Sequence, residues 1–442
     1  MKIIKTLRLA TATLALTGTA LTSPLWAEDV AVTGGTAFTN GGNGKVENAT
    51  ILMSDGKIVS VTSGGVVPDG YRTLDATGKW VTVGFMSSGG SLGLGEVNLS
   101  GDNNDATAPK AKDTINLDVA HSLNPYNAII ANTRIEGVTR AVSQFSRSKD
   151  NWIGTGSVIQ LGGKAASDMI VRGKAFIHLD VDEGAARGNG GSRSALWADV
   201  LKKLDDAKPK PKDDETKESE KDDDAKDGDK KADKKKPKEK TGGKKLLADL
   251  FAGKFSLQVN AHRASDIAHV IAMQKHYGFS VMLTGAREAW MMADELAAAG
   301  IPVLLNPLDN LPSRFDMLAS TSQNAARLHA AGVKIAFLPP DTNNSRLVVQ
   351  SAGNAVAMGL PWEAAVDAMT VNPAEIFGVA DSYGTLKEGM DADVVVWNGD
   401  PLEVMTSPDA VFIQGDQIEL VSRQSKLRDR YKEIPRAPGF KK

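Results

Sequence analysis

FSLQVNAHRASDIAHVIAMQKHYGFSVMLTGAREAWMMADELAAAGIPVLLNP, residues 255–307, alternates short apolar runs with longer amphipathic ones. The runs FSLQVNAH, FSVMLTG and IPVLLNP have the length and apolar content of buried strands. Between them, ASDIAHVIAMQKHYG and AREAWMMADELAAAG space their apolar residues as amphipathic helices do. Alternation of this kind predicts a parallel sheet covered by helices.

The same pattern extends in both directions. Upstream lie VTVGFM (81–86), GVTRAVSQF (137–145), SVIQLGG (157–163) and MIVRGKAFIHL (169–179); downstream lies VKIAFLPP (333–340). Two more helical stretches, STSQNAARLHAAG and LPWEAAVDAMTVNPAEIFG, follow the later strands. Eight strand candidates predict an α/β fold, a (β/α)8 TIM-like barrel. A doubly wound open sheet is the alternative, because periodicity does not show whether a sheet closes.

Outside this region the sequence is β-rich at both ends. In ILMSDGKIVSV (51–61), Asp55-Gly56 separates two alternating runs, a strong hairpin signal. In AVFIQGDQIELV (410–421), Gly415-Asp416 has the look of a second hairpin turn. Neither piece is long enough to bury much alone, so the economical solution is one small composite β-sandwich built from residues 28–83 and 383–442, beside a barrel over 84–382.

Two segments are set apart from the fold. Lys2, Lys5 and Arg8 precede the apolar run LATATLALTGTALTSPLWA, which ends at Ala27: residues 1–27 are predicted to be a signal peptide, with the mature chain periplasmic or secreted. No later run of 18 apolar residues predicts a transmembrane segment in the mature chain. Residues 208–240 hold 13 Lys and 12 Asp or Glu with no aromatic or large aliphatic side chain. Such a segment cannot offset its chain entropy and is expected to be a disordered charged insertion.

Composition removes several functions. With 52 Lys and Arg against 54 Asp and Glu, the chain has no basic field for a phosphate backbone, so nucleic acid is not an expected partner. Zero cysteines exclude disulfides, thiolate metal sites and a cysteine nucleophile. Neither a P-loop nor an HExxH helix is present. Ser146-Arg147-Ser148-Lys149 fits SxxK but falls in a polar loop after a strand.

Motifs at both ends and in the middle carry a resemblance. VENATILMSDGKIVSV with DATGKWVTVGFM in front, GLPWEAAVDAMTVNPAEIFGVADSYGTLKEGMDADVVVWNGDPLE at the rear, and VNAHRASDI with GAREAWMMADELAAAGIPVLL between them resemble the amidohydrolase superfamily, in particular its imidazolonepropionase-like branch. The resemblance implies a barrel beside a small β-sandwich and hydrolysis of C–N bonds, commonly amides, at one or two divalent metals.

Several ligand positions that the resemblance implies hold other residues. The HxH pair at the end of the first barrel strand falls on Gly89 and Ser91 of GFMSSGGSLG. Glycine has no donor atom, and a serine hydroxyl is a poor one beside imidazole. The fifth-strand histidine matches His262. The sixth-strand histidine falls near Thr284 or Gly285. The eighth-strand aspartate maps to Asp341, with Pro340 as the neighbouring match, and Lys174 is a guess for the bridging ligand.

His262 and Asp341 are therefore the candidate catalytic and metal-binding residues, short of the three or four ligands zinc takes. His178, followed by Asp180, Asp182 and Glu183, offers imidazole and carboxylates at one rim, and His121 could fold over the barrel mouth. His269, His276 and His329 are expected to be helix-surface residues.

Two functions stay open. One is an exported amidohydrolase-like protein with a dismantled metal centre, a catalytically impaired binding or partner subunit that takes a small amide or peptide-like ligand or pairs with a related amidohydrolase chain. The other is an active C–N hydrolase that uses His262 and Asp341, with one divalent ion such as zinc or with none. A weaker third is a scaffold acting through residues 208–240.

Overall fold

The computed structural model describes residues 28–40, 44–96, 104–209 and 242–432. The predicted signal peptide and nearly all of the predicted charged insertion lie outside the described residues. Among the described residues no helix is long and apolar enough to cross a membrane.

The chain begins with β1 (Val30–Phe38), β2 (Lys45–Ser54), β3 (Lys57–Ser63), β4 (Arg72–Asp75) and β5 (Trp80–Val83). Asp55 and Gly56 both take positive φ, 50° and 75°, as a two-residue hairpin turn requires, and they join β2 to β3 as expected.

The central sheet then runs through β6 (Phe85–Ser87), β8 (Val138–Ser143), β10 (Trp152–Gln160), β11 (Ile170–Asp180), β12 (Ser256–Ala261), β13 (Val281–Gly285), β14 (Val303–Leu305) and β15 (Ile335–Phe337). A small separate pair, β7 (Thr107–Ala108) and β9 (Arg147–Ser148), lies in the intervening loops. Each of the eight predicted strands falls on one of the central eight. The ends approach each other: Ser88 N donates to Phe337 O at 3.0 Å, and Met86 N to Met369 O at 2.8 Å. The result is a nearly closed, eight-stranded, mostly parallel TIM-like sheet.

One strand departs from the expected pattern. β10 is antiparallel to both neighbours, β8 and β11. Its connections, residues 144–151 and 161–169, are too short for the crossover of a dozen or more residues that a parallel pair needs. From β11 onward the strands are parallel, and helices including Arg193–Ala207, Ala264–Tyr277, Ala293–Ala299 and Asn324–Ala330 cross between them. The Ala264–Tyr277 and Ala293–Ala299 helices end on Gly278 and Gly300 in the left-handed conformation, which satisfies their last carbonyls without a Cβ clash.

The chain closes with β16 (Val394–Trp397), β17 (Pro408–Ile413) and β18 (Asp416–Gln417). These join β5, β1, β2 and β3 in the order β18-β17-β16-β5-β1-β2-β3, with β4 also on β1. The two end segments thus share one branched hydrogen-bonded sheet. The second hairpin turn is Gln414-Gly415, one residue earlier than expected, with φ of 50° and 81°.

The barrel and the end sheet meet around buried groups. Gly137, just before β8, has φ +83°, and an added Cβ would lie 2.2 Å from the buried Trp397 ring. Gly137→Ala is expected to lose about 1–3 kcal/mol through overpacking, read as a lower urea midpoint with an unchanged slope. Arg140 of β8 is 0 % exposed; its Nε donates to Asp393 Oδ2 at 2.9 Å, its Nη2 to Asp391, and its guanidinium lies 4.5 Å from the Tyr383 ring centre.

Candidate functional site

In such sheets the chemistry sits at the carboxyl ends of the strands, so each predicted residue is located there first. After β6 the chain turns through Gly89 and Gly90. A Cβ at Gly89 would lie 2.6 Å from Leu338 Cδ2, so a side chain of the residue after β15 fills the space where an imidazole would project. Ser91 is buried, its hydroxyl donates to Gln144 O at 2.9 Å, and its N–H donates to Thr342 Oγ1 at 3.0 Å.

Residues 89–93, GGSLG, have the GxSxG spacing of a nucleophile elbow. Ser91 is not in the left-handed conformation, and no helix follows it directly, so the elbow's strand-to-helix turn is missing. Ser146 of the SxxK string donates to Ala106 O at 3.1 Å.

Asp341 is exposed and caps the 3-10 turn Thr342–Leu347: Oδ1 accepts Asn344 N at 3.0 Å and Oδ2 accepts Asn344 Nδ2 at 2.9 Å. Both oxygens are engaged locally. Lys174 is exposed and 3.6 Å from Asp118, and His121 is exposed.

His262 follows β12 and is 7 % exposed, with Nδ1 buried and unpartnered. It stands against Gly285, where an added Cβ would come 2.4 Å from its Cε1. A side chain at the sixth-strand end is thus traded for the packed ring of the fifth.

Burial pushes the His262 imidazole down to about 4; Asp316 and Asp182 pull it up, and Arg314 and Arg287 push it further down. Asp341 is not among the groups that act on it. His262 is thus a buried residue at the end of β12, and Asp341 an exposed cap after β15.

The groups around His262 come from a segment that sequence reasoning passed over. After β14, residues 306–320 reach across to the loop after β11. Arg314 Nη1 lies 2.9 Å from Asp182 Oδ2, and Asp316 Oδ2 accepts the Glu183 N–H at 2.9 Å. Glu288 ties the middle of this cover: its Oε2 accepts Ala264 N at 3.0 Å and its Oε1 accepts Ala319 N at 3.1 Å. Arg287 pairs with Asp309 at 3.0 Å. The available signal was length, since loops beyond about 12–15 residues are usually functional in compact folds.

His178, at the end of β11, is 6 % exposed, and its Nε2 lies 3.2 Å from Asp180 Oδ1. Asp182 caps the helix Glu183–Gly188 and pairs with Arg314, while Glu183 pairs with Arg187, so the predicted His-Asp-Asp-Glu group divides after Asp180. His269 stacks on Trp197, with ring centres 5.5 Å apart, in keeping with a helix-surface role.

Among the described residues no group of three or more His, Asp or Glu side chains is placed to hold one ion. The donors at the family's metal positions are a glycine packed by Leu338, a committed serine hydroxyl and a capping aspartate, with only His262 matching. This set does not fit the group that the resemblance implies. A cavity of 310 Å³ lined by Ile301, Val333, Lys334 and Glu375, and one of 620 Å³ lined by Ile271, Lys275 and Phe279, lie instead near the amino ends of β13 to β15.

Comparison with known proteins places this geometry. Residues 229–420 match the family model described as Amidohydrolase family. A protein of Hapsidospora irregularis described as Amidohydrolase tasK is 32% identical over 115 residues, 26% of this chain and 12% of that protein's length. Among solved structures, an amidohydrolase from Thermotoga maritima MSB8 superposes with a TM-score of 0.74 at 23% identity, covering 88% of this chain and 99% of that one. A molinate hydrolase gives 0.55 at 15% identity, covering 94% of this chain and 100% of the other. Over residues 229–420 the chain is thus similar to the amidohydrolase family, within a fold shared with solved amidohydrolases.

Proposed function

We propose that this protein is an exported amidohydrolase-like barrel that binds a small amide or peptide-like ligand at its mouth without the two-imidazole metal grip of the superfamily, and that it acts as a catalytically impaired binding or partner subunit. The observation that carries this reading is the Gly89 site, where Leu338 lies 2.6 Å from where a Cβ would stand. A first-strand imidazole has no anchor atom there, and the tip of Leu338 would have to turn aside to admit one. The leader-like residues 1–27 support export, and a related amidohydrolase chain in the same compartment is the proposed partner.

One observation favours the second reading, an active C–N hydrolase. His262 Nδ1 is buried and free, and Asp182 and Asp316 act on the ring. A neutral imidazole beside carboxylates suits a single metal or a proton-transfer role.

The test is elemental analysis of the full mature chain after dialysis with zinc, manganese or iron, together with turnover of simple amides and dipeptides. The binding reading expects substoichiometric metal, unchanged by His262→Ala, and no turnover. Near one ion per chain, lost in His262→Ala, overturns the binding reading, and turnover of an amide or dipeptide lost with the ion puts the hydrolase reading in its place.

A further inference from the structure

We infer that His178 Nδ1 and the Gln258 carboxamide form a hydrogen-bonding site inside the barrel for an uncharged ligand group that bears an O–H or N–H donor, with Asp180 as its positioning residue. The inference rests on the metal-free ligand-binding reading above and names the chemistry the ligand must present.

Strand alternation places the pair. Ile177 and Leu179 of β11, and Leu257 and Val259 of β12, pack into the core beneath the surrounding helices. Their intervening neighbours His178 and Gln258 therefore face the barrel interior. The two are directly in register on adjacent parallel strands. The next in-register residue on β13, Met282, is apolar, as are Leu304 of β14 and Ala336 of β15 on the same inner face. The pair thus sits where the polar inner residues of β11 and β12, which continue through Asp180 and Asn260, meet the apolar side of the lining.

Neither side chain is satisfied. Gln258 is 0 % exposed, and both its amide oxygen and nitrogen lack a partner. His178 Nδ1 is also buried without one. Buried amides and imidazoles are ordinarily hydrogen-bonded, and one unpaired atom costs free energy comparable to a lost bond. Three on two adjacent side chains mark a place built for an incoming group.

Asp180 sets what that group must be. A carboxylate only accepts, so with Asp180 Oδ1 3.2 Å from Nε2 the ring proton belongs on Nε2 and Nδ1 is left as an acceptor. The ligand must donate to Nδ1. Gln258 can then accept from it or donate to it. A carboxylate ligand has no proton to give Nδ1 and is repelled by Asp180.

The experiment is long-range proton–nitrogen NMR of the full chain labelled with ¹⁵N-histidine, titrated separately with glycerol, acetamide and acetate. The free protein is expected to show His178 with Nε2 protonated and Nδ1 bare. Glycerol or acetamide is expected to move the Nδ1 signal saturably, and which of them does so separates an O–H from an N–H ligand. Acetate is expected to leave it in place.

Gln258→Met, a near-isosteric change, should weaken the response about tenfold, the worth of one hydrogen bond. Asp180→Asn, at a partly exposed site, should mix the two tautomers without unfolding the chain. A proton found on Nδ1 of the free protein, flat titrations with both neutral probes as for a bound water alone, or an equal response to acetate each overturns the inference. Metal uptake through His262 would sink the reading beneath it while leaving the Nδ1 titration to be judged separately.

Discussion

Arg140→Met is expected to destabilise the chain by about 3–5 kcal/mol, the cost of breaking a buried ion pair by removing one partner. Among the described residues Arg140 is the sole cation within hydrogen-bond reach of Asp393, and both side chains are fully buried. Methionine fills much of the volume, so the loss isolates the charge: Asp393 would remain in the core without its counter-ion. Asp391 would fare better, since Lys57 Nζ still lies 2.6 Å from its Oδ1.

The same cluster has a pH signature. Burial alone would raise the Asp391 carboxyl, but hydrogen bonds from Lys57 and Arg140 outweigh it and hold the group below the usual carboxylate range. Because the folded value is the lower one, this stabilisation is complete above the unfolded value of about 3.9 and fades as pH falls through the folded value. Urea unfolding at pH 7 measures the main effect. The companion variant Arg140→Met with Asp393→Leu should recover part of the loss, because no buried charge is then stranded. A single variant within about 0.5 kcal/mol of the parent would show that the cluster is as dispensable as a surface group.

Arg140 also shows what the sequence makes legible. Its strand is readable from GVTRAVSQF because the surrounding apolar residues have a strand's length and composition. Its partners are more than 250 residues away and were invisible, since no local pattern tells which aspartate folds back on which arginine. Strand direction was half legible: the short connections 144–151 and 161–169 contain no room for a crossover helix, and weighing them would have revealed β10 as antiparallel.

At the mouth, Gly89 and Ser91 could be read directly as missing imidazoles, whereas the Leu338 methyl that occupies the first of those places depends on three-dimensional packing. Asp341 carries a second local signal. An aspartate three residues before Asn344 at the start of a helical turn is also a cap, and the local hydrogen bonds claim it. The segment 306–320 was missed because loop paths are not periodic, and its role became visible only when Arg314 and Asp316 met the loop after β11.

His262→Gln is expected to flatten the acid side of the stability curve. In the folded chain the imidazole stays neutral down to about pH 4, because burial disfavours its cation by more than Asp316 and Asp182, themselves opposed by Arg314 and Arg287, can offset. In the unfolded chain it accepts a proton near 6.5. A folded value below the unfolded one means that this contribution is fully present above about pH 6.5 and is withdrawn as pH falls toward 4, by about 3 kcal/mol in total. Glutamine cannot take up that proton, so the variant should lack this loss while sharing every other carboxylate titration with the parent.

Urea unfolding of both proteins at intervals from pH 7.5 to 4 reads the difference directly. At the upper end the two should differ by a constant packing cost; toward the lower end the gap should close or invert. Parallel curves would mean that His262 charges as readily folded as unfolded, with Asp182 and Asp316 overcoming burial. The site would then hold a cation beside two carboxylates, which suits proton transfer to a substrate and would weigh toward the hydrolase reading. Converging curves instead describe a ring kept neutral by its cover of residues 306–320, an acceptor at physiological pH that the barrel has packed rather than armed.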